Sequence, residues 1–140
     1  NLILRGYEKT KISAIKVISE IDAGDIYLKR DLSLNGTAYE IYNRASLIII
    51  EMIKHIIKNN PTPIPQNGEV VNFQRRKPSE SNFFEINELK SLYNFIRMLD
   101  APGYPYAFIE TKHFNLKFQN AELDNDSKIL ANVIITKKNE

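Results

Sequence analysis

Residues 20–26, Glu20-Ile21-Asp22-Ala23-Gly24-Asp25-Ile26, place acids around a glycine between two runs of β-type residues, 11–19 and 26–34. So few residues join the runs that antiparallel pairing is favoured over a parallel crossover, which needs a dozen or more connecting residues. The expectation is a hairpin, or a near relative, carrying carboxylates at its tip. An acid on an exposed loop between two strands is well placed for chemistry, because the scaffold holds it while solvent and ligands reach it. Asp and Gly are also ordinary turn residues, chosen for backbone reasons alone. Local sequence by itself therefore specifies a turn.

Working outward, Ile12 to Ile18 reads as strand from its β-branched content. In the second run Ile26, Leu28, Arg30, Leu32 and Leu34 alternate with Tyr27, Lys29, Asp31 and Ser33, giving one largely apolar face. Asn35-Gly36 closes that strand. Thr37-Ala38-Tyr39-Glu40 is a capping box, in which the Thr hydroxyl serves the backbone of Glu40 and the Glu side chain reaches back. A long helix is predicted to follow, with Ile41, Ala45, Ile48, Ile49, Met52, Ile53 and Ile56 on one stripe widened by Leu47, Ile50 and Ile57, a width that predicts packing on a sheet. Asn59-Asn60-Pro61 ends it, since proline blocks continuation and constrains the residue before it.

Beyond the helix, Pro61, Pro63 and Pro65 form an extended connector, and Val70-Val71-Asn72-Phe73 is a short strand expectation. The polar stretch 74–81 marks a boundary, dividing the chain into 1–75 and 76–140. Asn87 is the expected cap of a second helix whose face carries Leu89, Leu92, Tyr93, Ile96 and Leu99. Strands are then predicted over 106–110, 113–118 and 128–136, with a turn at Asp124-Asn125-Asp126-Ser127. The fold class is α/β: a sheet-and-helix part followed by a small helix-plus-antiparallel-β subdomain of reduced, OB-like kind.

The 140 residues are 43% hydrophobic and 26% charged, the balance of a globular chain. A net charge of +2 supplies no general field for nucleic acid, so a polyanion partner would need a local patch. Cysteine is absent, which removes disulfides and thiolate metal sites, and two separated histidines make no metal cluster. The run 45–57 is too short and too interrupted to span a bilayer. With no signal-peptide pattern, the expectation is a cytoplasmic protein. The chain starts at Asn1 without an initiator Met, with Leu2-Ile3-Leu4 like the end of a helix already under way, and is expected to be a fragment.

Other candidate sites are few. No glycine-rich phosphate loop and no nucleophile elbow is present. Arg75-Arg76-Lys77 has the forked donors that bind phosphate, though a three-residue basic cluster is more often a solvated linker. His55 lies one turn after Glu51 and reads as a surface pair; His113 heads a strand without a local partner. Tyr93, Tyr104 and Tyr106 read as core and turn aromatics.

Taken together, Asn1-Leu2-Ile3-Leu4, Thr10-Lys11-Ile12-Ser13, Ile21-Asp22-Ala23-Gly24-Asp25-Ile26, the helix from Thr37, Pro63-Ile64-Pro65-Gln66, Arg75-Arg76-Lys77-Pro78, and Ile96-Arg97-Met98-Leu99-Asp100 running to Pro105-Tyr106-Ala107-Phe108 resemble the folate-dependent formyltransferases. The Arg-Arg-Lys-Pro step and the pattern around Tyr104-Pro105 look closest to the amino-sugar branch. The resemblance implies that 1–75 is the C-terminal part of a catalytic domain and 76–140 a linker, helix and small β-rich subdomain. It implies 10-formyltetrahydrofolate as cosubstrate and no metal. It puts the catalytic carboxylate on Asp22, with Ile18, Ser19, Glu20 and Ile21 flanking the pterin. Asp25 matches a recurring position without a catalytic role. The family's Asn and His have no counterpart in this sequence, so the chain alone is expected to be inactive.

The expected substrate is the amine of a sugar nucleotide, with a homodimer possible and nucleic acid not expected. The alternatives are a methionyl-tRNA formyltransferase and, from another class, a non-catalytic structural or dimerisation module. The small net charge and the short stretch after Phe108 favour the sugar over tRNA, since phosphate contacts supply most nucleic-acid affinity.

Overall fold

A computed structural model describes residues 1–125 and 127–138. The chain folds as two units: Glu8–Asn35 with Ile41–Phe73, and Asn1–Tyr7 with Gly36–Glu40 and Gln74–Glu140.

In the first unit β1 (Lys9–Ile15) and β2 (Ile26–Ser33) are antiparallel, in a register running from Lys9 opposite Ser33 to Ala14 opposite Leu28. The register slips between Ala14 and Ile15, which brings Ile15 opposite Ile26. The last rung is the Lys16 N–H donating to the Asp25 carbonyl at 2.7 Å. The first strand thus begins before residue 11 and stops well short of residue 19. Beyond the slip Val17 and Ile18 have no ladder partner, and β-branched content without a partner does not make a strand. Residues 16–25 consequently form a broad loop rather than a tight tip. The alternation of β2 holds, with Ile26, Leu32 and Leu34 buried and Leu28 half-buried.

Helix α1 spans Ala38–Asn59. Its start is the reciprocal cap: the Thr37 hydroxyl accepts from the Glu40 N–H at 3.3 Å, and Glu40 Oε2 accepts from the Thr37 N–H at 2.8 Å. At its end Asn60 turns left-handed (φ 42°), its N–H still reaching the Ile56 carbonyl at 2.8 Å. Ile41 and Met52 are buried and Ala45, Ile48 and Ile56 half-buried, but Leu47, Ile49, Ile50, Ile53 and Ile57 are exposed, so one edge of the wide stripe remains open among the described residues. After α1, Ile64 pairs with Ile26 through two backbone hydrogen bonds of 2.8 and 3.0 Å on the free side of β2. The strand expected at 70–73 does not form. Val70 is 87% exposed, and with no ladder partner the segment leaves its backbone groups to water.

The second unit has its own core. Helix α2 (Leu89–Leu99) packs on the antiparallel sheet β3 (Ala107–Glu110), β4 (Phe114–Asp124) and β5 (Lys128–Lys137), in the order β3-β4-β5. Phe83, Phe95, Ile96, Met98, Leu99, Ala107 and Ala121 form the buried cluster, with Phe83 edge-on to Phe95 and Phe118. The helix, meander and fold class follow the sequence expectation, with two differences of detail. Glu88, not Asn87, caps α2, and it does so without a side-chain cap bond. Strand β4 runs past 118 to Asp124, through a slip between Gln119 and Glu122. At that slip the left-handed Asn120 donates its N–H to the buried Asp100 carboxylate at 2.6 Å, so the bulge is pinned to the end of α2. The turn after β4 closes with Ser127 N–H to the Asp124 carbonyl, while its Asp126 lies outside the described residues. Arg97, also buried, donates to Asn94 Oδ1 and to the Gly36 carbonyl, both at 2.9 Å. Among the described residues no helix is long and apolar enough to cross a membrane.

Candidate functional site

The loop 16–25 is built almost wholly from backbone contacts. Gly24 is buried against the Lys16 carbonyl, and a Cβ there would overlap that oxygen, so glycine is required for the close approach. Asp22 sits in the left-handed region at φ 58°, a conformation that short polar side chains tolerate better than most. The carbonyls of Asp22 and Gly24 both accept from one donor, the Gln66 side-chain amide, at 2.7 and 2.8 Å. An amide nitrogen carries two hydrogens, which suffices for both. The Ile64–Ile26 pairing places Gln66 beside the loop.

These contacts fix the main chain of Asp22 and leave its carboxylate exposed, without a hydrogen bond or ion pair among the described residues. Such a group is an acceptor held in place and open to a ligand. Ile18, Ser19, Glu20 and Ile21 occupy the same loop and all are exposed. Val17, Ile18 and Ile21 are 93%, 45% and 88% exposed, so three apolar side chains of this loop face solvent.

The histidines join nothing catalytic. Glu51 pairs with Lys54 at 2.8 Å instead of with His55, and His113 meets the Phe114 ring edge-on. Among the described residues no group of three or more His, Asp or Glu is arranged to hold a metal. In the basic run Arg75 and Lys77 are exposed, as a solvated linker would be, while Arg76 is half-buried. Arg76 lies over the Phe95 ring at 5.0 Å and donates to the Glu80 carbonyl, and the Lys77 N–H meets Glu80 Oε2 at 2.6 Å. Arg75, Arg76 and Lys77 line a recess of about 530 Å³ with Ser81 and Tyr104.

Sequence reasoning assigns no role to two residues around the loop. Gln66 figures there only within the Pro63-Ile64-Pro65-Gln66 match, and its function depends on a contact 44 residues away. Val17 reads as strand interior and is instead an exposed loop residue.

Residues 78–136 match the family model described as the C-terminal domain of methionyl-tRNA formyltransferase. The solved methionyl-tRNA formyltransferase from Clostridium thermocellum is similar at 50% identity and a TM-score of 0.92, over 98% of this chain and 60% of that one. The methionyl-tRNA formyltransferase of Natranaerobius thermophilus is similar at 23% identity over 93% of this chain and 44% of its own length. The chain thus spans less than half the length of that relative. The N-formyltransferase from Helicobacter canadensis, solved on folinic acid and dTDP-3-aminofucose, shares the fold at 18% identity and a TM-score of 0.53, over 83% of this chain and 54% of that one. Of these likenesses the stronger carry the tRNA enzyme's name, and the amino-sugar enzyme is the weakest. The match over 78–136 assigns that segment to the C-terminal domain of the formyltransferases, and the likeness to the Clostridium thermocellum enzyme extends over nearly all of the rest of the chain.

Proposed function

We propose that the chain is the C-terminal portion of a methionyl-tRNA formyltransferase, which moves a formyl group from 10-formyltetrahydrofolate to the amine of methionine carried by tRNA. The observation that carries this reading is a left-handed Asp22 with a fixed main chain and an open carboxylate. The choice of tRNA over an amino sugar rests on 50% identity across nearly the whole chain to a protein of that name. Residues 1–75 then belong to the catalytic domain and 76–140 to the C-terminal subdomain, and the enzyme works in the cytoplasm.

In this mechanism the amine attacks the formyl carbon, the bond from that carbon to N10 of the folate breaks to release tetrahydrofolate, and Asp22 takes the proton that the amine sheds and relays it, directly or through water, to the leaving N10. The Asn and His of the resemblance would stabilise the oxyanion. Neither has a counterpart here, so the 140 residues alone would not transfer formyl. Ile18, Ser19, Glu20 and Ile21 would lie along the pterin, next to the exposed Val17. A sugar-nucleotide amine is the second reading, favoured by a net charge of only +2.

The test is formyl transfer by the full-length protein, offered methionyl-tRNA and amino-sugar nucleotides in parallel. Formylation of methionyl-tRNA, lost in Asp22→Asn, is the expected result. Transfer to the sugar alone would replace the substrate, and an Asp22→Asn protein as active as its parent would remove the carboxylate from the mechanism.

A further inference from the structure

Away from the acid loop, Arg30 of β2 and Lys54, His55 and Lys58 of α1 line a recess of about 380 Å³, with Glu51 and Asn59 completing it. Arg30 belongs to the row of β2 that is otherwise Ile26, Leu28, Leu32 and Leu34, so its side chain is directed to the apolar side of the strand. A charge in such a row ordinarily answers an acid. The acid lining this recess, Glu51, is taken by Lys54 at 2.8 Å, and the hydrogen bond of the Arg30 guanidinium goes to the Lys29 carbonyl at 3.1 Å. Arg30, Lys54 and Lys58 against the one carboxylate of Glu51 leave the recess two cations in excess.

Helix polarity explains part of this. Cations in the last turns offset the partial negative charge of a helix C-terminus. Two carbonyls at that end are already satisfied, His55 by the Asn59 amide at 2.9 Å and Ile56 by the Asn60 N–H at 2.8 Å, and Arg30 comes from a different element altogether. The strand therefore adds a forked donor beside the cations of the helix end. A fork beside point charges and an imidazole N–H is the donor set that suits a tetrahedral anion.

We propose that this recess binds a phosphate group, presented either by a nucleic-acid backbone or by a free phosphate ion. The site is independent of Asp22 and of the transfer chemistry. In the nucleic-acid case it gives the nearly neutral chain the local patch that a polyanion partner requires.

The test uses the full-length protein, with inorganic phosphate followed by calorimetry at low ionic strength and a short RNA hairpin followed by fluorescence anisotropy over a salt series. The variants are R30Q/K58Q, R30K, and the control K29Q, whose side chain lies on the opposite row of β2. R30Q/K58Q is expected to weaken phosphate binding about tenfold, R30K less, and K29Q not at all, since charge-assisted and bidentate contacts dominate such affinity. A parallel fall of about one in the salt slope for RNA assigns the site to a backbone phosphate, and an unchanged RNA slope assigns it to the free ion. No phosphate binding by the parent, or equal losses in K29Q and R30Q/K58Q, would overturn the proposal. The D22N protein should bind phosphate normally, so failure of this site and failure of the transfer reading are seen separately.

Discussion

Around Ile96 side chains position the backbone: the residue is 2% exposed, and Phe83, Phe95 and Leu99 join it in one cluster under the sheet. Around Asp22 the reverse holds. The backbone positions the side chain, through a glycine pressed on a carbonyl and one amide bridging two more. The apolar side chains of that loop face outward instead of into a core. Burial that holds the first region steady would, in the second, cover the very groups a ligand must reach. A loop tied by directional bonds keeps its shape and its exposure together.

The two regions can be crossed by mutation. Asp22→Asn keeps the left-handed backbone, which Asn adopts as readily as Asp, and removes the proton acceptor. We expect formyl transfer by the full-length protein to fall about 10²- to 10⁴-fold, the range for a lost acid–base group, with an unchanged melting curve. Ile96→Ala should do the opposite, costing about 3 kcal/mol of stability through lost burial and the residual cavity. Chemical denaturation measures it, and a cost under about 1 kcal/mol would mean that the cluster collapses to fill the space. A large melting change in the first variant would dissolve the contrast, since the carboxylate would then be part of the fold.

Legibility in the sequence follows the same line. Helix α1 could be read to within a residue because its start is a reciprocal bond between neighbours and its end an Asn-Asn-Pro step, both local. Helix α2 and the meander were legible from periodicity, which reports one buried face whatever that face meets. Register was not. The slip at Ala14 and Ile15, the bulge at Asn120 and the missing strand at 70–73 depend on whether a partner strand is in reach, and side-chain pattern does not encode that. Asp22 could be singled out, but its left-handed geometry and its tether to Gln66 could not, because the tether joins residues 44 apart. Arg76 misled for a related reason, since its composition suggests solvent and its ring partner, Phe95, lies in a later helix.

Gln66→Ala probes the tether directly. The Asp22 carbonyl can be solvated and that of buried Gly24 only in part, so the stability cost should be about 1–2 kcal/mol, whereas loosening Asp22 should lower formyl transfer several-fold. The split between the two measurements is the informative quantity. If activity and melting temperature fell together in proportion to folded protein, the loop would owe its shape to the rest of the fold and not to this amide.

The smallest effect belongs to the cap of α1, which fixes a helix without burying either partner. Thr37→Ala removes the hydroxyl that accepts the Glu40 N–H, at an expected cost of about 1 kcal/mol, while Thr37→Ser keeps the oxygen and should cost only a few tenths. Glu40→Gln keeps an acceptor for the Thr37 N–H but loses the charge near the helix N-terminus, and should fall between them. Directional bonds of this kind, each worth little, hold both the cap and the acid loop. If Thr37→Ala proved as costly as Ile96→Ala, that shared account would fail, because a bond at an exposed site would then carry the weight of a core residue.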